Sequence, residues 1–250
     1  MMQPPPRSST PATLSVSVVI PAYNEERRLG ATLQAVKQYL SRADFPYEVI
    51  VVDDGSKDRT AEIARASEIP GLRLLSNPGN QGKGYTVRHG IEEAEGDLIL
   101  FTDADNSTPI EEFESMRSHF ANGADVVIGS RALPQSQLQV RQTALREFAG
   151  RTFNWLLRSV VPLPFHDTQC GFKAFRREAA HAVFPRQRIR GWGFDAEVLL
   201  IAQRQGYRII ETPVRWINSP DSRLLIWRDA PKMFWELCRI RWNDLLGRYK

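Results

Sequence analysis

Two carboxylates one residue apart, Asp103 and Asp105, close the apolar run in the stretch GDLILFTDADNST. An unpaired carboxylate is costly to bury, so the pair must stand at the mouth of a strand, facing water, a cation or a ligand. Residues i and i+2 leaving a strand project to the same side. Both acids can then reach one cation, or divide between a cation and a sugar. Mg²⁺ and Mn²⁺ favour such oxygen ligands, and a cation held there bridges the two phosphates of a nucleotide diphosphate and neutralises it as a leaving group. The competing reading is a solvated strand end with a helix cap at Ser107 or Thr108.

Two more loops carry the same kind of ending. PAYNEE follows the run SVSVVI, and DDGS follows YEVIVV. Asp54-Gly55-Ser56 reads as a turn leading to a helix cap, which leaves Asp53 spare for a ligand. The stretch GNQGKGY invites comparison with a phosphate-binding loop, but that motif needs Gly at 77 and Ser or Thr at 84, where Asn77 and Gly84 stand. A Gly-rich turn at a helix N-terminus still faces a nucleotide well, with Lys83 as a point charge. Further along, Asp195 and Glu197 in GWGFDAE admit two roles, a general base or a helix-start pair that answers the dipole and Arg190; the structural role is preferred.

These residues need a frame that brings strand ends together. From Val16 onward, short β-rich runs alternate with helical patterns, the mark of βα units building a largely parallel sheet. SVSVVIP, YEVIVVDDGS, LRLLSN, DLILFTDAD and ADVVIGSR are the five strands. Between them lie helices over 25–43 (Leu29, Leu33, Val36 and Leu40 at helical spacing), from about Asp58, over GKGYTVRHGIEEAEG, and from about Pro109. In such sheets ligands bind beyond the carboxyl ends of the strands, so the three acid-bearing loops share one crevice. The second half is less regular. It predicts a helix over 141–161, a strand at CGFKAFRR, a helix over 194–205, a strand RIIETPVRW interrupted at Pro213, and a Trp- and Arg-rich helix from about Trp227 to Leu246.

Composition narrows the class. At 250 residues with 42% hydrophobic and 25% charged residues the chain supports one substantial core and is neither disordered nor fibrous. Thirty-three Lys and Arg against 29 acids leave a net charge of +4, which matters only where the basic residues cluster. Cys170 and Cys238 lack metal-ligand spacing, so neither zinc nor a disulfide framework is implied and a reducing, cytoplasmic setting fits. The start, MMQPPPRSSTPAT, is a loose tail without a signal-peptide core, and no apolar stretch is long enough to cross a bilayer. Any membrane contact is therefore expected to be peripheral.

The blocks VVIPAYNEE, VIVVDDGSKDRT, NQGKGYTVRHG, LFTDADNST, VVIGSRA, DTQCGFKAF, GWGFDAEVL and ETPVRW, in this order, resemble the family 2 inverting glycosyltransferases of GT-A fold. The similarity runs from about Val16 to Leu246 and is strongest to the branch that makes dolichyl-phosphate β-glucose. It implies an α/β fold, a mostly parallel central sheet flanked by helices, divided as tail (1–14), nucleotide-binding half (15–132), acceptor half (133–222) and C-terminal amphipathic helix (223–250). It further implies that Pro21, Ala22, Tyr23, Glu25 and Asp53 frame the base and ribose. Asp103 and Ala104 then face the ribose side, Asp105 the metal with Ser107 completing it, and Lys83 and Arg223 the donor diphosphate. Arg131 approaches the acceptor phosphate, with Asp167, Lys173 and Trp192 in the same half. The chain departs from the family pattern at its start, which carries no apolar anchor, and at NSPDSRL, which is richer in Pro and acid.

The implied reaction moves glucose from UDP-glucose to a polyprenyl phosphate, with Mg²⁺ or Mn²⁺ as cofactor. The alternatives are GDP-mannose or another nucleotide sugar, a sugar-hydroxyl acceptor, or a catalytically silent binding subunit; intact Asp53, Asp103 and Asp105 argue against the last. A polyprenyl phosphate is already anionic near neutral pH, so its attack needs cationic positioning rather than a base. Phe148, Trp155, Leu156 and Val160 among Arg141, Arg146, Arg151 and Arg158 fit an anionic membrane surface. So do Trp235, Trp242, Leu245 and Leu246 among Lys232, Arg239, Arg241 and Arg248. A core-packed helix with a solvated basic face is the alternative for each segment. No motif supports nucleic-acid binding. The expected location is the cytoplasmic face of a membrane.

Overall fold

The computed structural model describes residues 14–138, 160–217 and 226–249. The expected tail (save Leu14), most of the helix expected over 141–161, and Arg223 lie outside the described residues. The first half alternates strictly: β1 (Val16–Ala22), α1 (Leu29–Leu40), β2 (Tyr47–Asp53), α2 (Thr60–Ala66), β3 (Leu72–Ser76), α3 (Lys83–Glu92), β4 (Leu98–Thr102), α4 (Phe113–Ala121) and β5 (Val126–Ser130). Then come β6 (Gln137–Leu138), β7 (Phe172–Arg176), α5 (Arg177–Val183), α6 (Phe194–Arg204), β8 (Ile209–Pro213), β9 (Arg215–Trp216) and α7 (Ile226–Leu245). The strand expected across Pro213 does break there: β8 belongs to the main sheet, and β9 pairs with β6 in a separate two-stranded ribbon.

The main sheet has seven strands in the order β3-β2-β1-β4-β7-β5-β8. Its pairs are parallel except around β7, which runs antiparallel to both β4 and β5. The apolar runs are nearly continuous because both faces are covered. Val18 and Ile20 of β1 pack with Leu29, Leu33 and Val36 of α1 on one face. Val19 packs with Val87 and Ile91 of α3 on the other. That second face also takes up Leu237 and Ile240 of α7 and the following Tyr249, so the C-terminal helix shares the core of the sheet.

This topology decides what meets what. β1, β2, β4 and β5 all finish at one edge, which gathers the residues after Ala22, Asp53, Thr102 and Ser130. Because β7 is reversed, the segment leading into it, Asp167–Gly171, arrives at that same edge.

Candidate active site

Beyond Thr102 the chain leaves the sheet in a tight turn. Asn106 N donates to Asp103 O at 3.4 Å, and Asn106 takes a left-handed φ of 50°. The period-two rule therefore fails past the strand end, and the two acids face different neighbours. Asp103 Oδ1 lies 2.6 Å from Lys83 Nζ. Asp105 Oδ1 accepts from Ser107 N at 3.0 Å, and its Oδ2 lies 3.5 Å from Arg28 NH1. The acids remain partly open, with side chains 36% and 19% exposed, as a ligand-facing pair requires. Ala104, between them, is buried, and Thr32 of α1 ties its carbonyl down at 2.7 Å.

The expected donor residues are brought to this edge, with altered roles for several. Pro21 and Ala22 are the buried last residues of β1, and Tyr23 is half-buried at its exit. Glu25 is engaged by a two-pronged contact from Arg28, Nε to Oε2 at 2.7 Å and NH2 to Oε1 at 2.6 Å. Its carboxylate thus holds Arg28 toward Asp105. Asp53 is not wholly spare, since its Oδ1 accepts from Ser56 N at 3.1 Å and closes the Asp-Gly-Ser turn.

The Gly-rich turn before α3 does not cradle a phosphate with its backbone. Asp54, buried, accepts from Gln81 N and Gly82 N at 2.9 Å and from Asn77 Nδ2 at 2.8 Å. Arg190 O takes the amides of Gly84 and Tyr85 at 2.8 and 3.3 Å. With these amides already satisfied, Lys83 is what the turn offers a nucleotide. Its ammonium also sits 5.1 Å from the centre of the Trp192 ring, which places Trp192 on the Asp103 side of the site.

On the β5 side, Arg131 and Asp167 form a two-pronged pair, Nε to Oδ2 at 2.7 Å and NH2 to Oδ1 at 3.0 Å, and Arg131 N also donates to Oδ2 at 3.0 Å. Burial pushes the Asp167 carboxyl up, but the guanidinium more than offsets this and holds it at about 2. Glu211 of β8 steadies the loop by accepting from Asp167 N at 2.8 Å. The Trp216 ring lies 5.6 Å from the guanidinium carbon of Arg131. Next to this pair, Thr168 Oγ1 and Gln169 Nε2 are buried and have no hydrogen-bond partner among the described residues. Cys170 is buried, and burial lifts its thiol to about 11, so it is no nucleophile.

Lys173 departs from expectation. It is fully buried in β7, donates to Cys170 O at 2.6 Å and is ion-paired with Asp195, so it supports the floor of the site and does not reach an acceptor. Asp195 and Glu197 do serve structure, but neither answers Arg190. Glu197 accepts from Arg188 N and Ile189 N at 3.0 and 2.8 Å and from the Tyr249 hydroxyl at 2.6 Å.

Asp103, Asp105 and Ser107 are oxygen donors of the kind a hard divalent cation takes, but among the described residues no group of three or more His, Cys, Asp or Glu could hold a metal ion. Lys83 and Arg28 already sit on the two acids, so a cation there has to share their lone pairs. Arg28 and Asp54 were legible only as an i,i+3 partner of Glu25 and as the second acid of DDGS.

Residues 17–184 match the model of glycosyl transferase family 2. A dolichyl-phosphate beta-glucosyltransferase of Trichomonas vaginalis is 40% identical over 235 residues, covering 89% of this chain and 70% of its own length. The human dolichyl-phosphate beta-glucosyltransferase is 34% identical over 253 residues, covering 95% and 78%. Among solved structures, glucosyl-3-phosphoglycerate synthase from Mycobacterium tuberculosis, in complex with Mn²⁺, UDP-glucose and phosphoglyceric acid, superposes with a TM-score of 0.67 at 22% identity, covering 94% of this chain and 80% of its own.

Proposed function

Because the chain belongs to glycosyl transferase family 2, we propose that it transfers glucose from UDP-glucose to a polyprenyl phosphate with inversion, giving a β-linked lipid-phosphate sugar. The observation that carries this reading is the division of charge at one sheet edge. Acids with their own cationic partners, Asp103 with Lys83 and Asp105 with Arg28, stand on one side, and the Arg131–Asp167 pair stands on the other. Meanwhile Asp195 and Glu197, the acids best placed by sequence to act as a base, are buried and engaged. Such a site suits an acceptor that arrives already deprotonated.

In this reading an oxygen of the lipid phosphate attacks the anomeric carbon as the bond from that carbon to the UDP oxygen breaks. The electron pair leaves with UDP, and no proton need move. Lys83 draws the donor diphosphate and balances Asp103. Glu25 holds Arg28 against Asp105. Arg131, aimed by Asp167, orients the acceptor phosphate. Mg²⁺ or Mn²⁺, held by Asp105 and Asp103 with Ser107, would supply charge neutralisation of the leaving group; the Mn²⁺ and UDP-glucose of the fold relative support that choice.

Attachment to an anionic membrane at its cytoplasmic face belongs to the same reading. Among the described residues no helix is long and apolar enough to span a bilayer. The outer face of α7, however, presents Trp235, Trp242 and Leu245, followed by the exposed Leu246, with Arg239 exposed beside them. The inner face of the helix is packed, with Leu237 and Ile240 in the core, and the exposed aromatic face supports the membrane reading.

Release of UDP and of GDP, measured over a panel of nucleotide sugars with a short polyprenyl phosphate as acceptor, tests the proposal. UDP-glucose should lead, and the product should be β-linked. Faster turnover with GDP-mannose would replace the donor, and turnover only with sugar hydroxyls would replace the acceptor.

A further inference from the structure

The loop 187–193 carries Trp192 and is held from three sides. Glu197 of α6 takes the Arg188 and Ile189 amides, Arg190 O caps the first turn of α3, and the third hold comes from the C-terminal helix. There Glu236 of α7 accepts from Gly193 N at 2.8 Å. The same carboxylate lies flat against Gly191: a Cβ built on Gly191 would fall 2.2 Å from Glu236 Oε1, and one on Gly193 3.0 Å from Oε2. The two glycines of GWG therefore make room for a carboxylate from α7. Neither has the left-handed φ that would otherwise explain its choice.

What the loop presents on its other side is the Trp192 ring beside Lys83, and Lys83 in turn is paired with Asp103. A continuous set of contacts thus runs from α7, through Glu236 and the GWG backbone, to the ammonium that neutralises the first acid of the site. We propose that Glu236 is a positioning residue for donor binding: it fixes the GWG loop so that Trp192 confines Lys83 against Asp103. The proposal rests on the reading of Lys83 and Asp103 as the donor site. Burying part of a carboxylate is costly, and burial pushes Glu236 up against the Gly193 amide, Lys232 and Arg239. That cost is understandable where position, rather than stability, is gained. Trp235, next in the chain, is 73% exposed, so α7 bears an outward aromatic ring and a partly buried carboxylate on adjacent residues.

Two readouts test this. In ¹⁵N-labelled protein the Trp192 indole resonance, assigned by its loss in Trp192→Phe, should move in Glu236→Ala, in Gly191→Ala and in Lys83→Met. It should move far less in Glu236→Gln, whose amide oxygen still accepts from Gly193. Gly191→Ala displaces the carboxylate without removing it, so it reports even if Glu236→Ala folds poorly. In calorimetry with UDP and Mg²⁺, Glu236→Ala should weaken binding about tenfold, and adding it to Trp192→Ala should cost nothing more, as for residues acting through one contact. A Trp192 resonance unmoved by Glu236→Ala and Gly191→Ala, or strictly additive losses of UDP affinity, would overturn the proposal. If wild-type protein fails to bind UDP at all, the donor reading falls, and the indole resonance alone still decides whether Glu236 positions Trp192.

Discussion

Asp103 packs directly over Gly171, so closely that a Cβ on the glycine would meet Asp103 Oδ2 at 2.0 Å. The two also share a backbone contact, Asp103 N donating to Gly171 O at 3.2 Å. The glycine of QCGF is thus the floor on which the first acid rests, and the antiparallel entry of β7 puts it there. Gly171→Ala should therefore push the carboxylate off Lys83 and lower kcat/KM far more than it lowers the melting temperature, since overpacking here costs only ~1–3 kcal/mol. Steady-state kinetics beside thermal unfolding would check this, and unchanged kinetics would show that Asp103 is not held by that floor.

Asp105 carries the metal prediction. Asp105→Ala should cut turnover by roughly a hundredfold or more, because charge stabilisation at a leaving group is worth several kcal/mol. Excess EDTA should do the same to the wild type, with recovery on adding Mg²⁺ or Mn²⁺. Full turnover in EDTA would remove the cation from the site.

The Arg131–Asp167 pair gives an acid-stability prediction. Asp167 titrates at about 2, below its ordinary 3.8, because Arg131 outweighs burial. A depressed carboxylate stabilises the folded state above the unfolded value, and that contribution is lost as pH falls from near 3.8 toward 2. Wild-type stability should drop through this window, and Asp167→Asn should flatten that part of the curve. Denaturant unfolding at a series of pH values reads it directly.

How much of this was legible beforehand follows from which forces are local. β1, β2, β4 and β5 could be read because each is apolar on both faces over most of its length, so the pattern is strong without knowledge of its neighbours; β3, at the sheet edge, was read from its leucines alone. The acids after β4 were legible for the same reason: a buried run that ends in two carboxylates must bring them to water, a cation or a ligand. Spatial order was not legible. Nothing in the spacing shows that β7 inserts backwards between β4 and β5, and it is this reversal that brings Asp167 to Arg131 and Gly171 to Asp103. Lys173 was misread because a lysine in a short strand looks solvent-facing until its buried partner, Asp195, is known. Glu236 is one carboxylate on a helix rich in Lys and Arg. Its partners are two backbones far away in sequence, which carry no signal of their own.

The outer face of α7 predicts peripheral membrane binding by contacts the fold does not use. Trp235→Ser and Trp242→Ser should leave the packed face of Met233, Leu237 and Ile240 intact and weaken sedimentation with anionic liposomes. Arg239→Gln should add a loss of about 1 kcal/mol at low salt. Arg241 and Arg248 are engaged with Asp244 and Asn243 at 3.1 and 2.9 Å and should matter less. Wild-type protein that ignores such liposomes at low salt would make this face a protein-binding surface.

The absence of a proton to remove separates a lipid-phosphate acceptor from a sugar-hydroxyl acceptor. A hydroxyl attack needs a positioned base, whose loss costs roughly 10²–10⁴ in rate. Asp195 is ion-paired with the fully buried Lys173, so Asp195→Asn strands a buried cation and should cost ~3–5 kcal/mol of stability. Glu197→Gln weakens the contacts to Arg188, Ile189 and Tyr249 and should cost about 1–3 kcal/mol. Both losses fall on the folded fraction. The fraction that remains folded should keep much of its kcat, whereas Arg131→Ala should lose far more through misplacement of the acceptor. The acidic limb of the rate profile should then follow the second ionisation of the lipid phosphate, near pH ~6, with no limb belonging to the protein. A thousandfold fall in kcat per folded molecule for either amide variant, at unchanged UDP and metal affinity, would mean that a carboxylate takes a proton after all, and the acceptor would have to be a hydroxyl.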